Sequence, residues 1–469
     1  MLNMDEKKLK HWLMAGAAAT ILGAAGVRWA GRTIANKMFD RFYRILSNDM
    51  YDENLWELIS STIRLNPEIA IETHLRASNN GKMIERPMGT PFKFPSLDSI
   101  KFNIAQFEPM PVDVTTEIDT SVTIGKMAAK PFTIKAPVMI APMAYGIAIS
   151  KPVAIALAKS ATMADIAINS GAGPLLQEIR DEAKILIYQY NRGDWGKTPE
   201  ILQNCEAIEI QFGQGAYAGA GHIIKSQLVD KRLRKDFKVP PGKDLITHSR
   251  QPEVQRPEDL PKLIEKLRSI SGGVPIGAKI GAGKYLERDL YWLCSSGIDF
   301  ISLDGAEAGT KGSPPILQDD FGVPTVFATY RAAKWLEENG YKDRVSLIVS
   351  GKIRTPGDVL KVCALGADAC YIGTVALFAV SHGQIEKALP FEPPTALTWY
   401  EGRHSKRFNI NLGAESLNNF LEACRLELVE GIRALGKTSI SQVSRDDLIC
   451  IDEVIAKGCN IPMAYQPLH

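Results

Sequence analysis

Among the seven cysteines of the 469-residue chain, no two stand at Cys-x-x-Cys spacing, so neighbouring thiols build neither a zinc site nor an iron–sulfur site. Their positions (205, 294, 363, 370, 424, 450 and 459) are scattered and odd in number, the pattern of a reducing compartment. Excess charge is missing as well. Lys plus Arg total 55 against 53 for Asp plus Glu, so no basic stripe recommends DNA or RNA as a partner. Internal repeats with a motif of their own are absent too. What is present is a globular balance, 45% hydrophobic and 23% charged, in a length that suits one large barrel-sized domain with extensions.

Long uncharged runs are scarce, with one exception near the start. Trp12 to Val27, WLMAGAAATILGAAGV, follows Lys7, Lys8 and Lys10 and precedes Arg28, Arg32, Lys37, Arg41 and Arg44. It is short of the roughly 20 residues of a spanning helix, but snorkelling by Lys10 and Arg28 supplies extra length. The expectation is a retained single-pass transmembrane anchor over residues 1–38; a cleaved signal peptide and a buried Ala/Gly-rich helix are the rival readings. The denser positive charge after the run places the remaining chain on the cytoplasmic side of a membrane.

Residues 39–113 read as a polar, partly helical extension broken by prolines around ERPMGTPFKFPSLDS. Eight apolar runs of strand length follow: 137–143, 166–169, 185–189, 207–212, 275–280, 299–303, 345–349 and 368–372. Helical patterns such as KPVAIALAKSATM and TVFATYRAAKWLEENG separate many of them, with apolar residues recurring at three and four. Alternating strand and helix means parallel pairing, and eight such units predict an α/β fold of the (β/α)8 TIM-barrel type over residues 114–391. A polar insertion at 213–256 follows the fourth strand, and residues 392–469 read as a helical C-terminal extension.

Chemistry in such a barrel sits at the C-terminal ends of the strands. Here those ends read APMAYG, NSGAG, YQYNRG, QFGQGA, KIGAG, DGAEAGT, SGKIRT and IGT. Each carries a glycine, and glycine at a strand end marks close approach of backbone to something else. SGKIRTPGDVLKVCALGADACYIGT gathers Ser350, Gly351, Gly373 and Thr374 at the barrel top, where barrels commonly hold phosphate. A phosphorylated cofactor or substrate is expected.

Taken together, APMAYGIAIS, NSGAG, YQYNRGDWGKTPEIL, AIEIQFGQGAYAGAGH, IGAKIGAG, SLDGAEAGTKGSPP and SGKIRT resemble the FMN-binding synthase domain of glutamate synthase and its stand-alone relatives, over roughly Ala136 to His382. The resemblance implies FMN as cofactor. It implies that Ala141, Met143, Asn169, Gln189 and Lys279 surround the flavin, and that the loop carrying Asp304, Gly305, Glu307, Gly309 and Thr310 lies beside it, its small residues letting backbone approach the ring. Lys279, Asp304, Glu307 and Gln189 are the candidates for tuning and proton supply. Lys279 has a rationale of its own, because a cation at a strand end stabilises an anionic reduced ring. IMP dehydrogenase needs a cysteine in the loop after strand six, and the 2-hydroxy-acid oxidases a His-Gly-Gly-Arg type segment at strand six; neither is present here.

The chain departs from the resembled family in three ways. It opens MLNMDEKK, without room for a glutamine-hydrolysing domain, so ammonia is expected free or from another protein. The segment after strand eight, FAVSHGQIEKALPFEPP, has no cysteine, so no iron–sulfur cluster is expected and electrons must come from NAD(P)H or an external redox protein. Gln211 and Tyr217 stand where the family carries lysines, and Ala220 where it carries an acid, which bears on a dicarboxylate substrate needing compensating cations. Arg250, Lys243 and Arg192 are possible substitutes, and His222 and His248 candidate general acids. No metal site is expected. The expected activity is reductive amination of a 2-oxo acid, 2-oxoglutarate among the choices, or reduction of a related imine. The rivals are a non-catalytic membrane-anchored scaffold and a flavin-free phosphate-ligand enzyme.

Overall fold

The computed structural model describes residues 6–467, with side chains from Gly26 onward. It divides into two compact units between Ile84 and Glu85. The first holds the helices Glu6–Asn48, Leu55–Leu65 and Pro67–Ser78. Asn54 organises the turn between the first two, accepting from Trp56 N at 2.9 Å and donating to Leu46 O at 2.6 Å, so one side chain caps the new helix and holds the end of the old one.

The membrane expectation is corrected here. Among the described residues no helix is long and apolar enough to cross a membrane. The run Trp12 to Val27 lies, but for its last two residues, outside those whose side chains are described. The helix continues unbroken to Asn48 through Arg28, Arg32, Lys37, Asp40, Arg41 and Arg44, a charge density that hydrocarbon does not accept. The single-pass anchor and the membrane-bound placement drawn from it are not supported.

In the second unit all eight expected runs are strands: β1 (Val138–Ile140), β2 (Ile168–Asn169), β3 (Leu186–Tyr190), β4 (Ala207–Gln211), β5 (Ile276–Gly281), β6 (Phe300–Asp304), β7 (Ser346–Ser350) and β8 (Ala369–Ile372). They pair in sequence order, all parallel, and β8 closes on β1. Almost every residue in them is buried, as expected for strands covered on one side by helices and on the other by the barrel interior. Register then positions the chemistry. Lys279 stands level with Gln211 on β4 and Ser302 on β6, and Asp304 level with Ser350 on β7.

The hairpin Val122–Ile124 with Phe132–Ile134 closes the bottom, inserting Ile124, Phe132 and Ile134 among Met139, Ile187, Phe300 and Ile348. The insertion after β4 folds as a small antiparallel pair, His222–Ile224 with Leu245–Thr247, and the helix Lys231–Phe237. Val229, Leu233, Phe237 and Leu245 of the insertion form an apolar cluster with Trp195 from the loop after β3. The tail is more integrated than a helical appendage. Its helix Ile410–Ala434 packs on Lys151–Met163 and Thr374–Val380, covering barrel wall, and Leu448–Cys450 pairs antiparallel with Ile100–Phe102.

Candidate active site at the barrel mouth

Asp304, the last residue of β6, is the hub of the site. Its Oδ1 accepts from Lys279 Nζ at 2.5 Å and from Ser350 Oγ, and its Oδ2 accepts from Gly215 N at 3.1 Å. The lysine and aspartate side chains are only 4% and 6% exposed, so β5, β6 and β7 are joined by a buried, hydrogen-bonded ion pair. Lys279 Nζ also lies 5.8 Å from the ring centre of Tyr371.

A cleft opens above this pair. Of the residues expected from the sequence, Ala141, Lys279, Asp304, Glu307, Gly309, Thr310, Ser350, Gly351, Gly373 and Thr374 line it together. Lys352 and Tyr371 line it as well. Gly351 and Lys352 are both left-handed, with φ of +129° and +54°, and this tight turn brings two consecutive backbone units to the wall beside the start of the helix Thr374–Val380. Arg354, also on the wall, is already engaged, its guanidinium bonded to Asp98 at 2.5 Å and to Asp358 at 3.2 Å.

Met143, Asn169, Gln189 and Gly305 stand outside that lining. Met143 packs against the main core. Gln189 donates to Glu209 Oε1 at 2.7 Å, and Asn169 donates to the Tyr371 hydroxyl at 3.2 Å while accepting from Gly171 N. They form a buried polar layer inside the barrel.

The small residues of the strand-six loop have a cause within the protein. A Cβ at Gly305 would meet Thr325 Oγ1 at 2.1 Å, and one at Gly309 would meet Gly89 N at 2.5 Å. Glu307 Oε2 accepts from Thr325 N at 2.8 Å and Thr325 Oγ1 at 2.7 Å. It therefore caps the helix Thr325–Glu338, satisfying an N–H that the helix cannot pair internally.

Around the mouth, neutral groups dominate the end of β4. Gln211 donates to Gln214 Oε1 at 3.2 Å, and Gln214 to Thr310 Oγ1 at 3.3 Å, leaving Gln211 Oε1 buried without a partner. Arg192 is buried, with its terminal nitrogens on the carbonyls of Gly219, Ser249 and Ala220; it ties the insertion down. Arg250 and Lys243 are exposed. His248 lies 3.8 Å from Asp194 at an exposed position. The Tyr217 hydroxyl contacts His222 Nδ1 at 2.9 Å and Gly312 O at 3.2 Å, and burial pushes its pKa up to about 12.

Burial also lowers the pKa of His222, helped by Lys311 and opposed by Glu85. Protonation therefore favours the unfolded chain, where the imidazole titrates near 6.5. Its contribution to stability is complete above that pH and lost as pH falls below it. Thermal unfolding between pH 8 and 5 should show a steeper loss of midpoint for the parent protein than for His222→Gln; equal slopes would show that His222 is not the group responsible.

Glu209, Tyr371, Ser302 and Gln214 escaped the sequence reading. For Glu209 a signal existed, an acid between two isoleucines in a buried strand. Cys294 is buried on the helix Leu286–Ser295, and burial pushes its thiol up to about 12, which keeps it from acting as a nucleophile.

An eight-stranded parallel barrel with its ionic and small residues gathered at the strand C-termini defines an α/β-barrel enzyme. The family model described as the conserved region in glutamate synthase matches residues 98–438. A glutamate synthase large subunit-like protein of Rhizobium meliloti (strain 1021) is 32% identical over 409 residues, 83% of this chain and 92% of its own length. The archaeal glutamate synthase (NADPH) of Archaeoglobus fulgidus is 30% identical over 348 residues, 74% of this chain and 66% of its own. Among solved structures, a flavocytochrome b2 aligns at TM-score 0.48 and 19% identity, over 75% of this chain and 76% of that one. The chain belongs to the glutamate synthase family and is an oxidoreductase of that kind.

Proposed function

We propose that the barrel binds FMN and reduces the C=N bond of an imine formed from a 2-oxo acid and ammonia, with 2-oxoglutarate, giving glutamate, the first substrate to test. The observation that carries this reading is the buried Lys279–Asp304–Ser350 cluster opening onto a cleft that ends in the turns after β7 and β8. These residues fit the cofactor's two ends. Gly351, Gly373 and Thr374 suit the phosphate, since hydroxyl and backbone N–H groups bind anions without a cation, whereas the Ser350 hydroxyl is committed to Asp304. Ala141, Pro142 and Ala308, small side chains of the cleft lining, leave room for a ring.

When bound, FMN supplies a hydride to the imine carbon. The protein's part is to position it and to place charge. Lys279, oriented by Asp304, puts a buried ammonium on the cleft wall where it offsets negative charge on a reduced ring. Asp304 in turn is held by Ser350 and by the backbone of Gly215, so the ammonium has one geometry. Gln214 and Thr310, on the cleft wall, offer neutral hydrogen bonds to the substrate, in place of cations. Electrons reach the flavin from NAD(P)H or an external redox protein.

The test is the visible spectrum of the purified full-length protein, with the released chromophore identified by mass. One FMN per chain is the expected result, followed by anaerobic reoxidation of the reduced flavin on adding 2-oxoglutarate with ammonia. A colourless protein that FMN cannot reconstitute would overturn the reading.

A further inference from the structure

Glu209 sits in the middle of β4 with no exposed surface. Strand residues alternate between barrel interior and helix layer, and Ile208 and Ile210 belong to the outer core while Glu209 turns inward. Three strands supply its partners. Gln189 Nε2 on β3 donates to Oε1 at 2.7 Å; Ser302 Oγ on β6 and the Tyr371 hydroxyl on β8 donate to Oε2 at 2.5 and 3.2 Å. The Tyr371 hydroxyl accepts from Asn169 Nδ2 at 3.2 Å, which directs its own proton at the carboxylate. Burial and Glu209 both push the Tyr371 phenol well above its ordinary pKa, so it stays a donor.

Every contact is thus donated to the carboxyl group, yet none of the ion pairs among the described residues includes Glu209. Lys279, on the neighbouring strand, has its ammonium on Asp304. Lys279 and Asp304 thus pair with each other, and Glu209 is held by neutral donors. Packing does not call for such a group, since an apolar side chain of similar volume fills a core without the desolvation cost. Tyr371 connects it to the cleft. Its ring lines the floor, and its hydroxyl is on Glu209.

We propose that Glu209 is a positioning residue that locks Tyr371 and Gln189 in place beneath the cleft floor and, through its charge, keeps the reduction potential of the bound flavin low. This rests on the FMN reading above. A fixed negative charge beneath the cleft would disfavour the anionic reduced form of a flavin bound there, and in a low-dielectric interior the effect would not be screened away. Lys279 acts in the opposite sense, so the two residues set the potential between them.

The experiment is anaerobic redox titration of the FMN-loaded full-length protein against reference dyes, for the parent, Glu209→Gln and Tyr371→Phe. Glu209→Gln removes the charge while keeping the shape, and the midpoint potential should shift to more positive values. Tyr371→Phe keeps the charge and removes a donor that partly neutralises it, so the shift should be to more negative values. Shifts of opposite sign are what a purely packing role does not produce. Should Glu209→Gln fail to fold, the sign of the Tyr371→Phe shift decides. Unmoved potentials, or shifts of the same sign, on chains that each bind one FMN would overturn the inference and leave the flavin reading standing. A chain that takes up no FMN would overturn both.

Discussion

Lys279→Met should destabilise the protein by about 3–5 kcal/mol and weaken FMN binding in the same step. The cause is the burial of its partner. Asp304 is 4% exposed, and without the ammonium its charge is left with only the Ser350 hydroxyl and the Gly215 N–H. A buried carboxylate stripped of its counter-ion costs far more than an exposed pair is worth. The double variant Lys279→Met/Asp304→Asn separates the two effects. Removing both charges should restore most of the stability, because the uncompensated ion is gone, while FMN affinity stays reduced, because the cation on the cleft wall is still missing. Denaturant unfolding of the flavin-free chains measures the first quantity and flavin fluorescence titration the second. A double variant no more stable than the single one would show that the pair is not an energetic unit.

Gly305→Ala carries the second large effect. The new methyl carbon would fall 2.1 Å from Thr325 Oγ1, 2.7 Å from its Cβ and 2.5 Å from its Cα. Rotating the threonine relieves only the first of these contacts, so the backbone at the start of the helix Thr325–Glu338 must move. That shift breaks the cap from Glu307. Overpacking costs about 1–3 kcal/mol, and loss of a helix cap about 1 kcal/mol more. Thr325→Ala added to Gly305→Ala should not rescue, since the Cα clash persists. Gly373→Ala supplies the contrast. Its nearest neighbour would be Ala141 Cβ at 3.7 Å, ordinary contact, so the flavin-free protein should keep its stability to within about 1 kcal/mol while FMN affinity falls, because the methyl occupies the cleft. Equal losses of stability in both glycine variants would sink this division of roles.

These two glycines read alike in the chain, each following a buried strand, and nothing local distinguishes one that faces a helix from one that faces a cleft. Thr325 is 20 positions from Gly305 and 18 from Glu307, and their meeting depends on how the helix after β6 folds back. The same reason hid the second role of Glu307, visible as an acid in a small-residue loop but not as the cap of a helix. It also hid Glu209, whose three donors come from β3, β6 and β8. Each strand presents one residue, and only closure of the barrel turns four separate polar residues into a layer. At the N-terminus the error had another origin. The basic residues after Val27 were read as flanks of a spanning segment, whereas the helix runs on through them to Asn48 and no helix among the described residues is long and apolar enough to cross a membrane.

The sequence by itself determined the barrel, because strands buried on both faces must be apolar throughout and the helices between them must repeat at three and four. It determined where the chemistry collects, since parallel strands deliver all their C-terminal ends to one mouth, and Lys279, Asp304 and Ser350 were already placed at those ends. Tertiary structure alone decided which of these residues touch. Register set Asp304 opposite Ser350, side-chain reach brought Lys279 onto it, and closure of β8 on β1 completed the ring that sets Tyr371 over Glu209. Hydrogen bonds and ion pairs act over about 3 Å, and sequence separation carries no information at that scale until the chain has folded.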